Sequence, residues 1–514
     1  MQTISNFFSK HFYSILIATV VVYIFSGFAY CKLISADASN YLNIAENIVT
    51  HKGFVVSYNS ALVFNTLYYP IWPYYQFLYP LFCSLFINHG GIVQIVKINV
   101  LLFAMNAAII FSIVQNLIPT RLSVLFVFAL IFSINCYLPA IYPWTEHLHF
   151  FCFILSFIVF LRYYQHPWPL FWIGLFNGVL MLLRESHIFN VLGYLLFILI
   201  GTYPIRKKFS LMLAFLSGFV LLYGAFQWWC WNSYHDFYPQ DAKGSMLFLM
   251  SNYSKGIVYD VHKVGVQLDL GPFLTLEHLS NVGRHILSFI HQMPLFVVPS
   301  LFYFLLPQKK KCAGGLMALC FCQSIVAIVG FSSAYYMLDS LEARRYVMIP
   351  YILMSIVGWY CLIKGLSILE SKPKKIILLC LLVILVFPAV KKVINKKNDL
   401  LKYPRWEAVA YEKDLFESFK WIDKNLPKEV LIASNERQEC FFLHRPFVVT
   451  PEMGSFNCEN FSRYNKIYAP DYYLLTPSIS NECFEPLRHA KLFSNQNFRI
   501  LRIEKVLNPK DQLI

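Results

Sequence analysis

Four places in the chain put ionisable residues at the ends of long apolar runs: Asp37, Glu146, Arg184 and the pair Arg344-Arg345. A carboxylate at a lipid–water boundary can take a proton from a hydroxyl, or it can simply cap a helix, an ordinary role for Asp. An arginine presents a planar fork that matches phosphate oxygens, or it marks the interface as a solvated charge. Glu146 stands in Tyr142-Pro143-Trp144-Thr145-Glu146-His147, and His149 follows closely. The two histidines beside an acid raise the question of a divalent metal, but neighbouring residues on the edge of one apolar run rarely converge on an ion, so no metal or other cofactor is expected. Arg184 is followed by Glu185, and a local ion pair would explain that arginine as well as a phosphate would.

These residues need elements to hold them, and composition says which kind. Of 514 residues, 57% are hydrophobic, 18% aromatic and 14% charged, against about 25% charged in soluble domains. A spanning helix needs roughly 20 apolar residues. Runs near 12–34, 93–117, 121–140, 147–164, 168–183, 187–204, 209–231, 288–306, 313–334, 346–363 and 375–390 predict an α-helical polytopic membrane protein of about eleven spans. The first run is not followed by a small-residue cleavage site, so it reads as an uncleaved anchor.

Basic residues concentrate in cytoplasmic loops. Lys10, Arg121, Arg162, Arg206 to Lys208, Lys309 to Lys311, and Lys364 with Lys372, Lys374 and Lys375 all fall on one side if the N-terminus is cytoplasmic. The outer side then receives residues 35–92, the tip near 138–146, residues 184–187, the stretches 232–287 and 335–345, and everything after about 391. Lys391, Lys392, Lys396 and Lys397 go against this rule. The formal charge of +15 is spread across loops, which argues for membrane orientation and against a nucleic-acid partner. Most of the thirteen cysteines lie in apolar runs, where Cys behaves as a small hydrophobe. Cys440, Cys458 and Cys483 fall in the tail and allow at most one bridge within it.

The first outer loop is too long for a connector. Ala38, Tyr41, Leu42, Ala45, Ile48 and Val49 recur at helical spacing, Asp37 sits where an N-cap belongs, and Gly53 lies shortly beyond the end. Tyr68 and Tyr69 open an aromatic run ending at Tyr75. Such density suits the headgroup layer, so the loop is expected to lie on the membrane, and anchoring outweighs sugar stacking as the role of those rings. Two domains follow: residues 1–400 in the membrane, with the amphipathic loop 35–92, and a small soluble α/β domain at 401–514. In the latter, a helical pattern covers 414–426, and strand-like runs occur at 430–433, 447–449, 472–475 and 498–506.

The order of these features resembles the GT-C superfamily of membrane glycosyltransferases. The nearest likeness is to the branch similar to protein O-mannosyltransferases and to the lipid A aminoarabinose transferase. Four stretches carry it: Ser35 to Asn47 followed by Gly53-Phe54, Tyr142 to His147, the stretch from Gly178 to Leu183-Arg184, and Arg345-Tyr346 with Ile349-Pro350. Glu185 departs from the pattern, because Pro or an apolar residue would be expected there. The resemblance implies transfer of a sugar from a polyprenyl-phosphate donor to a lipid, glycan or protein acceptor on the outer face of a bacterial inner membrane, with inversion. It makes Asp37 the general base, Glu146 a second acid, and Arg345 the first candidate for the donor phosphate, with Arg184 and Arg344 behind it. Tyr41, Tyr68 and Tyr69 belong to the surface loop.

Two other classes fit the composition: a transporter or flippase of a lipid-linked sugar, and a non-catalytic assembly protein. A transporter should bury ionisable groups mid-span and break helices near the midplane. Here the acids and arginines gather at the outer ends of the runs, which favours an enzyme.

Overall fold

A computed structural model describes residues 2–31, 36–54, 58–59, 77–234, 311–334, 345–368, 410–434, 447–449, 470–475, 489–496 and 498–503, with a few isolated positions between 280 and 395. Tyr68, Tyr69, Arg344, Cys440, Cys458, Cys483 and nearly all of the apolar runs at 288–306 and 375–390 lie outside the described residues. The chain divides into two compact units. One holds 1–27, 96–256 and 268–396; the other holds 28–95, 257–267 and 397–514.

The first unit is helical. Its described helices are α1 (Gln2–Phe25), α4 (Gly91–Val114, shared with the second unit), α5 (Thr120–Ile131), α6 (Ile134–Ile141), α7 (Glu146–Tyr163), α8 (Pro167–Leu183), α9 (Ile188–Ile200), α10 (Ile205–Tyr234), α11 (Lys311–Ala334) and α12 (Met348–Ile368). The protein is a multi-pass membrane protein. Among the described residues, four segments are long and apolar enough to cross a bilayer: His11–Tyr30, Gly91–Val114, Glu146–Tyr163 and Ile205–Trp229. The run expected as one span at 121–140 is a broken pair, α5 and α6, bent by 58°. Ser133 stands at the break, and its hydroxyl is hydrogen-bonded to the Tyr351 hydroxyl on α12, so a side chain from another helix covers the interruption. Shorter apolar helices, including Pro167–Leu183 and Met348–Lys364, accompany these.

Small residues set the tightest crossing. A Cβ on Gly174 of α8 would overlap the backbone oxygen of Phe215 on α10, and one on Gly218 of α10 would overlap that of Phe171. Apolar helices in lipid gain little from hydrophobicity between themselves and depend on such close backbone approach.

The second unit contains α2 (Ala36–Val49), α3 (Leu78–Ile87), α13 (Ala410–Asn425) and a six-stranded sheet. The strands are β1 (Tyr58–Asn59), β2 (Ile432–Ser434), β3 (Phe447–Val449), β4 (Tyr472–Leu475), β5 (His489–Ser494) and β6 (Arg499–Ile503), ordered β1-β3-β2-β4-β6-β5. The first four run parallel, and β6 is antiparallel to both β4 and β5. The turn between β5 and β6 closes on Asn495, whose side chain accepts from Phe498 N at 2.8 Å and donates to Asp414 O on α13 at 2.6 Å.

Helix α2 covers the periodic stretch but starts at Ala36, so Asp37 lies inside its first turn and not at the N-cap position the sequence suggests. It ends before Gly53: His51 takes the left-handed conformation at φ 59°. Lys52 N donates to Asn47 O at 2.8 Å and His51 N to Ile48 O at 3.2 Å, a Schellman closure with a non-glycine residue in the turn. Ala38, Leu42 and Ala45 are buried as the spacing implies, but so are Ser39, Asn40, Asn43 and Asn47 on the polar side. Ile44 packs with Leu415, Phe419, Ile422, Leu474 and Ile500, and Ile48 and Phe54 pack against the same core. The α2 segment and the tail therefore share one hydrophobic core.

Candidate functional site

The positioning starts on α4. Asn99 donates from one amide nitrogen to Tyr142 O at 2.9 Å and to Trp144 O at 3.1 Å. Two turns further along, Asn106 donates to His147 O at 3.0 Å. Residues seven apart share a helix face, so one face of α4 pins both sides of the turn that leads into α7. The His147 ring donates from Nε2 to Cys136 O of α6 at 2.9 Å. That fixes His147 away from His149, which instead meets His187 at 2.9 Å. The two histidines diverge, and among the described residues no three of His, Cys, Asp and Glu converge as a metal-ligand set.

Glu146 stands in the first turn of α7, where a helix N-terminus favours negative charge. Arg184 is the C-cap of α8, the end that favours a cation. The two close a buried ion pair through Glu146 Oε1. Arg345, just before α12, brings its Nε to 3.7 Å from the same oxygen. All three residues are at most 7% exposed. The aromatic residues complete the arrangement. Arg345 lies over Trp144 at 4.7 Å and over Tyr346 at 4.9 Å, and Arg184 lies over Tyr346 at 4.8 Å. Arg345 also donates to the Tyr346 hydroxyl at 3.0 Å. Arg184 donates to Ser186 Oγ at 2.9 Å and Thr145 Oγ1 at 3.1 Å. Rings on the guanidinium faces leave the in-plane N–H groups for acceptors.

Among the described residues, one carboxylate serves two guanidiniums, and Glu146 Oε2 is buried with no hydrogen-bond partner. Glu146, His149, Arg184, Arg345 and Tyr346 line a narrow cleft. Its free space of about 10 Å³ suits about one water, so a larger anion must displace side chains to enter.

Of the residues singled out in the sequence, the structure brings together Glu146, Arg184 and Arg345. Tyr41 sits in the second unit, its ring 5.1 Å from Tyr79 and edge-on to it. Asp37 falls in the first turn of α2, in the second unit, and its side chain lies outside the described residues. Sequence reasoning missed His187, Asn177 and Trp144 as neighbours of the site. A His one helix away from an acid gives no local signal, whereas Trp144 beside Glu146 could have been read as a cation partner.

No protein-family model matches the chain, and no curated protein matches it. Solved structures do. ArnT from Cupriavidus metallidurans, solved bound to undecaprenyl phosphate, matches with TM-score 0.56 and 12% identity over 95% of this chain and 97% of that one. The Archaeoglobus fulgidus oligosaccharyltransferase, tethered to an acceptor peptide containing an NVT sequon, matches with TM-score 0.51 and 10% identity over 92% of this chain and 70% of that one. Its apo form matches with TM-score 0.51 over 90% and 69%. The chain thus shares its fold with ArnT and with that oligosaccharyltransferase.

Proposed function

We propose that this protein transfers a sugar from a polyprenyl-phosphate carrier to a lipid, glycan or protein acceptor at the outer face of a bacterial inner membrane. The observation that carries the reading is the convergence of Arg184 and Arg345 on Glu146 in a buried, aromatic-walled cleft. The similarity in fold to ArnT, solved with undecaprenyl phosphate bound, supports a lipid-linked donor. The N-terminus is cytoplasmic in this reading. The helical unit forms the membrane part, and residues 401–514, which share a sheet and a core with β1 and α2, lie outside as an α/β domain.

In the reaction, the acceptor hydroxyl attacks the anomeric carbon and the bond from that carbon to the phosphate oxygen breaks. Asp37 takes the hydroxyl proton, a role that positioned carboxylates fill. The polyprenyl phosphate leaves with the bonding electrons, and Arg345 and Arg184 hold its growing negative charge. Glu146 acts as the second acid of the site by orienting both guanidiniums. It loses its hold on Arg345 first, since that contact is the longer one. A single displacement of this kind inverts the anomeric centre.

The test is mass spectrometry of cell-envelope glycolipids and glycoproteins from cells with and without the gene. Loss of one defined sugar from an acceptor, restored by the wild-type gene and not by Asp37→Asn, supports transfer. An unchanged glycan profile rules it out.

A further inference from the structure

A chain of hydrogen bonds leads from the cleft into the helix bundle, and its direction is fixed at the far end. The backbone oxygen of Ile173 can only accept, so the Asn177 amide must turn its nitrogen towards it, at 2.7 Å. The same nitrogen donates to Ser156 Oγ at 2.9 Å. The Asn177 oxygen therefore faces His187, and His187 Nε2 must carry a hydrogen to donate across 2.7 Å. In a neutral ring that leaves His187 Nδ1 as an acceptor. It accepts from Asn190 Nδ2 at 3.2 Å and from His149 Nε2 at 2.9 Å. His149 Nε2 thus holds its hydrogen, and His149 Nδ1 carries a lone pair. Reversing the chain would set the Asn177 oxygen against the Ile173 oxygen. Protonating His149 would place a third cation beside Arg184 and Arg345, which line the same cleft.

Every polar group in this chain is buried: Ser156, Asn177, His187, Asn190 and His149 are each at most 4% exposed. Asn190 Oδ1 alone in this chain has no partner among the described residues, and the order of the remaining donors and acceptors makes His149 a neutral ring whose remaining nitrogen can only accept. The neighbouring guanidiniums can only donate. The guanidiniums and His149, which line one cleft, therefore ask for opposite chemistry. The arginines take anionic oxygens, and His149 repels these and takes a group bearing O–H or N–H.

Resting on the donor reading above, we infer that His149 recognises the sugar of the donor, accepting a hydrogen bond at Nδ1 from a hydroxyl or amino group next to the phosphate. It is a specificity residue, and His187 and Asn177 are positioning residues that hold its tautomer.

The experiment uses the full-length protein in nanodiscs and measures binding of decaprenyl phosphate and of its β-glucosyl and β-mannosyl phosphodiesters. His149→Phe removes the acceptor. His149→Gln also removes it from the Nδ1 position but keeps an N–H within reach of His187, which guards against loss of the fold. Both variants should weaken at least one sugar-bearing ligand about 3–10-fold, the range for one neutral hydrogen bond, and leave decaprenyl phosphate within twofold. Equal weakening of all three ligands would move His149 to the phosphate side, and no weakening of either sugar-bearing ligand would remove it from recognition; both outcomes overturn the inference. Arg345→Ala in the same assay separates this failure from failure of the donor reading: if it does not weaken decaprenyl phosphate, the lipid-phosphate site itself is wrong.

Discussion

Glu146 opens α7 and Arg184 closes α8, and they meet as a buried ion pair at one end of the helix hairpin. Each is placed by its own helix terminus, so the pair is prepaid by geometry; its cost is the desolvation of both charges. Removing one partner of a buried pair strands the other, at about 3–5 kcal/mol. Glu146→Gln should therefore lower the thermal midpoint of the purified protein sharply. Because Arg184 would be one of the stranded charges, adding Arg184→Met should recover part of the loss. Additive losses in this double-mutant cycle would show that the two side chains are not energetically coupled.

Helix α2 carries a pH-sensitive group. Burial pushes the Glu46 carboxyl up to about 7, opposed by the nearby positive charge of Lys52. A carboxyl whose folded pKa is raised binds more protons folded than unfolded. Its contribution is therefore greatest below the unfolded value and is lost as pH rises through the window from about 4.5 to about 7. Partial solvent screening keeps the loss to about 1–2 kcal/mol. Thermal midpoints at pH 5 and pH 8 should differ less in Glu46→Gln than in the wild type, with the variant more stable at pH 8. Parallel pH dependence in the two proteins would contradict this.

Ile44 ties α2 to the tail, since it shares a core with Leu415, Phe419 and Ile422. Truncating a buried Ile to Ala costs about 2–5 kcal/mol. Ile44→Ala should make the region after residue 400 more sensitive to limited proteolysis, although the substitution is far away in sequence. Unchanged protection of the tail would mean that the shared core contributes little to its stability.

Asp37 should be separable as a first-turn charge of α2 and as a base. Asn keeps the shape of Asp and gives up only the first-turn charge, worth about 0.3–1 kcal/mol, but it cannot take a proton. Asp37→Asn should keep expression and thermal stability while turnover falls by roughly 10²–10⁴. Asp37→Glu should be poor as well, because a displacement of about 1 Å can cost about 10² in rate. Wild-type turnover in Asp37→Asn would remove it as the base.

The sequence was most readable where a single period governs a segment. The apolar spacing of residues 38–49 matches α2, and the aromatic and β-branched runs at 447–449 and 472–475 coincide with β3 and β4. It was less readable where a residue serves two masters. Ile44 falls off the apolar stripe of α2 yet enters the tail's core, because a helix buried on several sides has no single moment. Strand β1 is only Tyr58 and Asn59, too short for any alternation, and exists because β3 offers it an edge. The break between α5 and α6 was hidden inside one apolar run, with Pro139 inside α6 the lone hint. In the site, Glu185 beside Arg184 suggested a local pair, whereas Arg184 reaches Glu146 from another helix. Long-range pairing of this kind, like that of His149 with His187, is set by helix packing and leaves no mark on neighbouring residues.

The most direct test of the donor site is equilibrium binding of undecaprenyl phosphate to the purified wild-type protein and to Arg345→Ala and Arg345→Lys, with thermal midpoints measured alongside. A charge-assisted contact is worth about 1.5–3 kcal/mol, which is about 10–150-fold in affinity. Arg345→Ala should lose that much, and Arg345→Lys should recover only part, since Lys lacks the planar fork. Undiminished affinity in Arg345→Ala, with the fold intact, would contradict a phosphate site built on Arg345, Arg184 and Glu146.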